Sequence, residues 1–258
     1  MIGMFDSGFG GLTVARAVID LLPGEDLVYV GDTGRYPYGP REQAEVEGFA
    51  HQIARFLVDE HGADMIVVAC NTAAAAALES LQAVLPVPVL GVIEPGVRSM
   101  VQVTQTGRVA VIGTVGTIGS GAYQRAVAET GAPVELTLAA CPGFVEFVER
   151  GELRSEQVHV LASRLLAPVV DAKVDALLLG CTHYPFLART ISDVVGRDVV
   201  LVSSADETAF EVARTVGIRH DRSGTHRWLS SGDVEWFRAM GRRLLGPEIE
   251  TVEAVRWA

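Results

Sequence analysis

The chain has 258 residues, 49% hydrophobic and 21% charged, a composition that buries a globular core and does not stay disordered. That length accommodates one or two compact domains and does not choose between them. Twenty-one Lys and Arg against 32 Asp and Glu leave a formal charge of −11, which repels phosphate backbones and anionic lipid surfaces and disfavours nucleic acid and membranes as partners.

The opening Met1-Ile2-Gly3-Met4-Phe5-Asp6 lacks the basic start and long apolar run of a signal peptide. It predicts a strand over 2–5, followed by a helix over 12–22 and a strand over 27–30. A helix over 42–60, a strand over 65–69, a helix over 73–85 and a strand over 87–92 come next. The alternation resumes with strand 109–112, helix 120–129, strand 134–139, helix 155–170, strand 176–179, helix 185–195 and strand 199–202. Nearly continuous apolar strands separated by helices predict parallel sheets covered on both faces. Beyond His220 the pattern shortens to strand, helix and strand over 226–230, 233–245 and 249–255, which reads as an appended element. The longest uncharged stretch, 109–124, is sixteen residues, too short to span a membrane.

A weak internal repeat runs through this pattern. Asp64 to Cys70 and Asp175 to Cys181 each read Asp, apolar strand, then Cys six residues on. Upstream, Phe5-Asp6-Ser7-Gly8 and Ile112-Gly113-Thr114 each follow an early strand, with Asp6 lying 64 residues before Cys70 and Thr114 lying 67 before Cys181. Ligands of open α/β sheets gather at the carboxyl ends of strands. Two similar doubly wound α/β domains, with a cysteine on each wall of the cleft between them, are therefore expected. The expected division is 1–94 plus 205–258 as a discontinuous first domain and 95–204 as the second. Chance similarity between two buried strands is the competing explanation.

Three cysteines, at 70, 141 and 181, are odd in number and far apart, which argues against a disulfide framework and for a reducing cytoplasmic setting. Cys70 and Cys181 each end a strand just where polar residues begin, Asn71-Thr72 and Thr182-His183. A helix N-terminus at such a place favours thiolate and binds carboxylates. Cys141, before Pro142, reads as a small buried hydrophobe. No two Cys or His stand at metal-ligand spacing. Lys173 is the single lysine, in a polar lead-in to a strand, so Schiff-base chemistry, including that of pyridoxal phosphate, is nearly excluded.

Gly8-Phe9-Gly10-Gly11-Leu12-Thr13 invites a dinucleotide reading that fails at Thr13, where the third glycine belongs. A turn whose backbone N–H groups approach a small anion fits better. Asp6 and Ser7 begin it, either as helix caps or as substrate ligands. Asp32 to Pro40 reads as a rigid, irregular loop. His51 and His61 receive no function.

Taken together, Phe5-Asp6-Ser7-Gly8-Phe9-Gly10-Gly11, Gly31-Asp32-Thr33 with Pro37-Tyr38-Gly39, Ala69-Cys70-Asn71-Thr72-Ala73, Val111-Ile112-Gly113-Thr114 and Gly180-Cys181-Thr182-His183-Tyr184-Pro185 resemble the glutamate racemase family, in order and spacing, over nearly the whole chain. The resemblance implies two α/β domains with the active site between them. It implies interconversion of L- and D-glutamate without a cofactor, the D form feeding peptidoglycan synthesis. Cys70 and Cys181 are the implied acid/base pair, Cys181 deprotonating L-glutamate and Cys70 D-glutamate. Asp6, Ser7, Tyr38, Gly39, Asn71, Thr72, Thr182 and His183 are implied to hold substrate or tune the thiols, with Asp6 and His183 as assistants. Asp32 and Glu149 match acidic positions lining the family's site. A homodimer in the cytoplasm, with glutamate as its small-molecule partner, is the expected assembly. Some members carry an N-terminal extension tied to activation by a peptidoglycan precursor; this sequence opens at its first strand, and that regulation is not expected.

An aspartate racemase of the same group would keep both cysteines and differ in side-chain fit. A binding protein on this fold would have no need of two opposed thiols.

Overall fold

The computed structural model describes residues 1–217, 223–246 and 248–257. Two compact units account for them: Met1–Val92 with Ala205–Ala258, and Ile93–Ser204.

The first unit begins β1 (Ile2–Asp6), α1 (Leu12–Leu21), β2 (Leu27–Gly31), α2 (Gln43–Asp59), β3 (Met65–Val68), α3 (Asn71–Val84) and β4 (Val89–Gly91). The second runs α4 (Ile93–Val103), β5 (Arg108–Gly113), α5 (Val115–Gly119), α6 (Ala122–Glu129), β6 (Glu135–Ala140), α7 (Phe144–Arg150), α8 (Glu156–Leu165), α9 (Ala167–Asp171), β7 (Ala176–Gly180), α10 (Ala188–Val195) and β8 (Val200–Val202). The chain then returns to the first unit with α11 (Ala205–Val216), β9 (His226–Ser230), α12 (Val234–Leu245) and β10 (Glu253–Ala254). Both sheets are parallel, ordered β10-β9-β2-β1-β3-β4 and β6-β5-β7-β8.

The apolar runs become strands because helices cover both faces. Every residue of β1, β2, β3 and β7 is buried. Each Val, Ile or Leu so placed contributes about 1.5–3 kcal/mol of hydrophobic stabilisation. The edge strand β6 is mostly half-exposed. Gly3 allows α2 to sit on β1, since a Cβ there would come within 3.1 Å of Leu57, Ala63 and Ile66.

Four strands of the first sheet, β2-β1-β3-β4, match the four of the second, β6-β5-β7-β8, in order. Phe5 lies opposite Val68 and Asp6 opposite Gly31; Ile112 lies opposite Leu179 and Gly113 opposite Ala140. The register makes Ser7 equivalent to Thr114, Asp32 to Cys141, and Cys70 to Cys181. Comparing Asp6 with Thr114, as the spacing suggested, is therefore one residue out. The repeat aspartates also match: Asp64 N–H bonds Met1 O and Asp175 N–H bonds Arg108 O, both at 3.1 Å. Chance similarity does not give this correspondence. The halves also exchange helices. α4 follows β4 yet packs on α6, β7 and β8, whereas α11 follows β8 yet packs on α1 and β4.

Several boundaries differ from the sequence expectation for local reasons. β4 is shorter than 87–92 because Pro86 and Pro88 lack donors. The helix expected over 155–170 breaks at Leu166, two residues before Pro168. The helix expected from Ser120 starts at Ala122, after Gly121 at φ +76°. The helix expected over 185–195 splits into a 3-10 turn, Tyr184–Leu187, and α10. In the appended element β9 pairs with β2, and β10 is only two residues long. His220, where the pattern changes, lies outside the described residues. No described helix is long and apolar enough to cross a membrane.

Candidate active site

In the first unit the strand ends deliver Ser7, Asp32 and Cys70 to one edge of the sheet. β3 stops at Val68, and Cys70, two residues on, is the N-cap of α3. Asn71 and Thr72, expected just ahead of that helix, are its first two residues, and all three are buried. Their N–H groups belong to the first turn, which has no intrahelical acceptors. The Ala-rich start of α3 buries Ala73, Ala74 and Ala77, which lets the helix pack closely.

The Cys70 sulfur lies 3.7 Å from the Ser7 hydroxyl. Burial raises its pKa to about 11, with the Asp6 charge adding to the shift; the Ala73 and Ser7 N–H groups and the Ser7 hydroxyl act in the opposite direction. Cys70 is therefore a thiol at neutral pH.

Asp6 is fully buried, and its Oδ1 accepts the Gly8 N–H at 2.7 Å. That bond closes a turn within the glycine loop. It does not cap α1, whose N-cap is Gly11 and carries no side-chain bond. Helix capping by Asp6 or Ser7 is thus set aside. Gly11 is there for space: a Cβ would meet Asp6 Cβ at 2.7 Å, Ala69 Cβ at 2.9 Å and the Tyr29 hydroxyl at 2.9 Å.

Sequence reasoning missed Tyr29. It is fully buried, donates to Gly8 O at 3.2 Å, and is driven well above its ordinary pKa by burial, then by the Asp6 and Cys70 charges. As one more aromatic in an apolar strand it carries no local signal.

Asp32 and Tyr38 are bonded to each other, the Tyr38 hydroxyl donating to Asp32 Oδ2 in a short contact. Burial, then the Asp32 charge and that bond, raise the Tyr38 pKa far above its usual value. Asp32 also accepts from Arg35 Nε at 2.7 Å, Ser231 Oγ at 2.5 Å and Trp257 Nε1 at 2.7 Å. Gly39 follows, half-buried.

In the second unit Cys181 directly follows β7, and what comes after it is a turn and the 3-10 segment, with α10 starting only at Ala188. The helix N-terminus expected beside both cysteines is present at Cys70 and absent at Cys181. Gly180 makes the strand end tight: a Cβ would lie 2.7 Å from Ile112 O and 2.8 Å from the Tyr123 hydroxyl. The Cys181 sulfur is 3.9 Å from His183 Nδ1. Thr182 and His183 are both buried, and burial lowers the His183 pKa to about 4. The imidazole is neutral at pH 7.

Glu149 is half-buried on α7, and α7 packs on the segment after Cys181. The Phe144 and Tyr184 rings meet at 5.3 Å, and Tyr184 donates to Cys141 O at 3.1 Å. Cys141 is 1% exposed, and burial raises its thiol to about 12. No disulfide joins the three cysteines. Lys173 is exposed, in a turn at φ +50°. Among the described residues, no three His, Cys, Asp or Glu side chains cluster so as to hold a metal ion.

Residues 11–211 match the family model Asp/Glu/Hydantoin racemase. The chain is 50% identical to a glutamate racemase of Acidothermus cellulolyticus, over 96% of each chain. A crystal structure of glutamate racemase from Thermus thermophilus in complex with β-chloro-D-alanine superposes with a TM-score of 0.87 at 44% identity, over 99% of this chain and 96% of that one. One from Francisella tularensis in complex with D-glutamate gives 0.91 at 32% identity, over 98% and 96%. With two parallel sheets that each carry a strand-end cysteine, and with these full-length matches, the chain belongs to the Asp/Glu/Hydantoin racemase family and is an amino-acid racemase.

Proposed function

We propose that this racemase interconverts L- and D-glutamate with Cys70 and Cys181 as a two-base pair and without a cofactor. The observation that carries the reading is the equivalence of the two cysteines: each stands two residues past matching strand positions, Val68 and Leu179, in corresponding four-strand arrays, β2-β1-β3-β4 and β6-β5-β7-β8. A single fixed base cannot easily both remove the α-proton from one face and return it on the other. Two groups of one chemical kind on opposite faces can, and a thiol has a tunable pKa suited to both roles.

In this scheme Cys181 takes the α-proton of L-glutamate while the Cys70 thiol donates on the other face; D-glutamate reverses the roles. The Cys70 environment, which holds the proton at neutral pH, suits the donor role. Neutral His183 beside Cys181 can exchange a hydrogen bond with the thiol without taking its proton, and Ser7 and Asp6 hold the Cys70 side. A substrate carboxylate fits the N-terminus of the fourteen-residue α3, where Asn71 and Thr72 present N–H groups and the helix dipole is positive. Asn71, Thr72 and Thr182 serve as neutral donors to the charge that develops on the carboxylate as the α-proton leaves. Tyr38 and Gly39 are assigned to the substrate side of the loop, and Glu149 to the side of Cys181.

Lys173, the single lysine, is exposed, which supports chemistry without a Schiff base. The glutamate named for its relatives supports the substrate. Supply of D-glutamate to peptidoglycan in the cytoplasm, by a homodimer, completes the proposal.

The test is proton NMR of L-glutamate with the purified protein in deuterium oxide. Loss of the α-proton signal with growth of the D enantiomer is expected; persistence of the signal, or equal exchange in aspartate, contradicts the assignment.

A further inference from the structure

We infer that Trp257 is a positioning residue for the loop that carries Tyr38 and Gly39, acting through the buried Asp32 carboxylate. Assigning that loop to substrate rests on the racemase reading above; the tether itself does not.

Sheet register brings Trp257 there. β9 pairs with β2 so that Gly31 faces Ser230, which sets Ser231 beside Asp32 just past the strand ends. β10 pairs with β9 with Ala254 opposite Ser230, and Val255 N–H bonds Ser230 O at 2.9 Å. The Arg227–Glu253 pair, bonded at 2.9 and 2.8 Å, fixes this last strand. Trp257, three residues beyond Ala254, then reaches across the same edge of the sheet.

Asp32 is fully buried, and its two oxygens take four donors: Ser231 and Trp257 on Oδ1, Arg35 and Tyr38 on Oδ2. A carboxylate with both oxygens so engaged is a fastener and has little capacity left to bind a substrate. The indole contributes more than its N–H. The Arg35 guanidinium carbon lies 4.8 Å from the Trp257 ring and 4.2 Å from the Phe49 ring. Phe49 also packs on Tyr38 at 5.5 Å, and Trp257 meets Phe56 edge-on at 5.6 Å. The loop backbone is lightly bonded to itself, with Arg35 N–H to Asp32 O and Arg41 N–H to Tyr38 O. Side chains hold it, and Trp257 touches two of those that do.

The test uses the full chain and Trp257→Phe, which keeps a ring and removes the donor. Amide exchange in peptides covering 32–41 is expected to quicken about tenfold, the scale of one lost hydrogen bond to a charged group, with β1 and β3 unchanged. KM for glutamate is expected to rise about fivefold to tenfold with kcat within about twofold, since the loop orients substrate and does not move the proton. Adding Trp257→Phe to Asp32→Ala, which removes the acceptor, should cost far less than it does alone. Unchanged exchange over 32–41, a fall in kcat at constant KM, or full additivity overturns the inference. Quickened exchange in a protein inactive on glutamate leaves the tether standing and removes the racemase reading instead.

Discussion

The two halves of this molecule share the order and register of four strands, yet they surround equivalent cysteines with different chemistry. Cys70 caps a long helix and faces the Ser7 hydroxyl with buried Asp6 nearby. Cys181 opens a turn and faces a neutral histidine. At the neighbouring position one half places Asp32, bound to four donors, and the other places Cys141, sealed in the core. A repeated scaffold thus fixes where the two proposed bases stand, and the segments after each strand decide their surroundings. In the proposed two-base mechanism that combination is useful, because the two bases play matching roles toward different sides of a chiral substrate.

The largest effects should fall on the equivalent pair. Cys70→Ser and Cys181→Ser are each expected to lower racemisation about 10³-fold, the scale of losing a positioned acid or base. Cys141→Ser, at a strand end to which the proposal assigns no reacting group, should retain near wild-type kcat/KM. A comparable loss at Cys141 would break the distinction between the three thiols.

Stability against pH should separate the two environments next. His183 titrates at about 4 in the folded protein against 6.5 in an open chain. Between those values the unfolded chain binds more protons, so stability is lost as pH falls. Cys70 titrates at about 11 against 9.0; its contribution is full below pH 9 and is lost as pH rises toward 11. Urea midpoints measured across the pH range should show a flatter acid limb in His183→Gln and a flatter alkaline limb in Cys70→Ala. Unaltered limbs in the variants would mean that the buried groups are not the ones titrating.

Much of this was legible in the sequence, and the reason is locality. Asp6-Ser7, Cys70-Asn71-Thr72 and Cys181-Thr182-His183 are contiguous because a strand end delivers consecutive residues to one edge of a sheet. The tether on Asp32 was not legible. Ser231 and Trp257 reach it across 199 and 225 residues of sequence, through a register that only the assembled sheet defines. The missing helix start after Cys181 was hidden too, since Tyr184-Pro185 supports a 3-10 turn or a helix equally well until the turn's contacts with α7 decide.

The smallest effects test the packing that holds one lip of the first sheet. Gly11→Ala should destabilise by about 1–3 kcal/mol, because the added methyl meets Asp6, Ala69 and Tyr29 within 2.9 Å. Gly48→Ala, exposed in α2 with nothing within 4 Å, should stabilise by up to about 1 kcal/mol. Thermal unfolding of the two variants should move in opposite directions; a shared direction would contradict the assignment of Gly11 to close approach.

The central claim is that each thiol serves one face, and handed elimination tests it most directly. A substrate analogue that expels a β-substituent requires only the deprotonating step, and serine at neutral pH is a poor base. With the D analogue, Cys181→Ser should keep more elimination than Cys70→Ser, and with the L analogue the order should invert. Equal losses for both hands, or the same order for both, would contradict the claim.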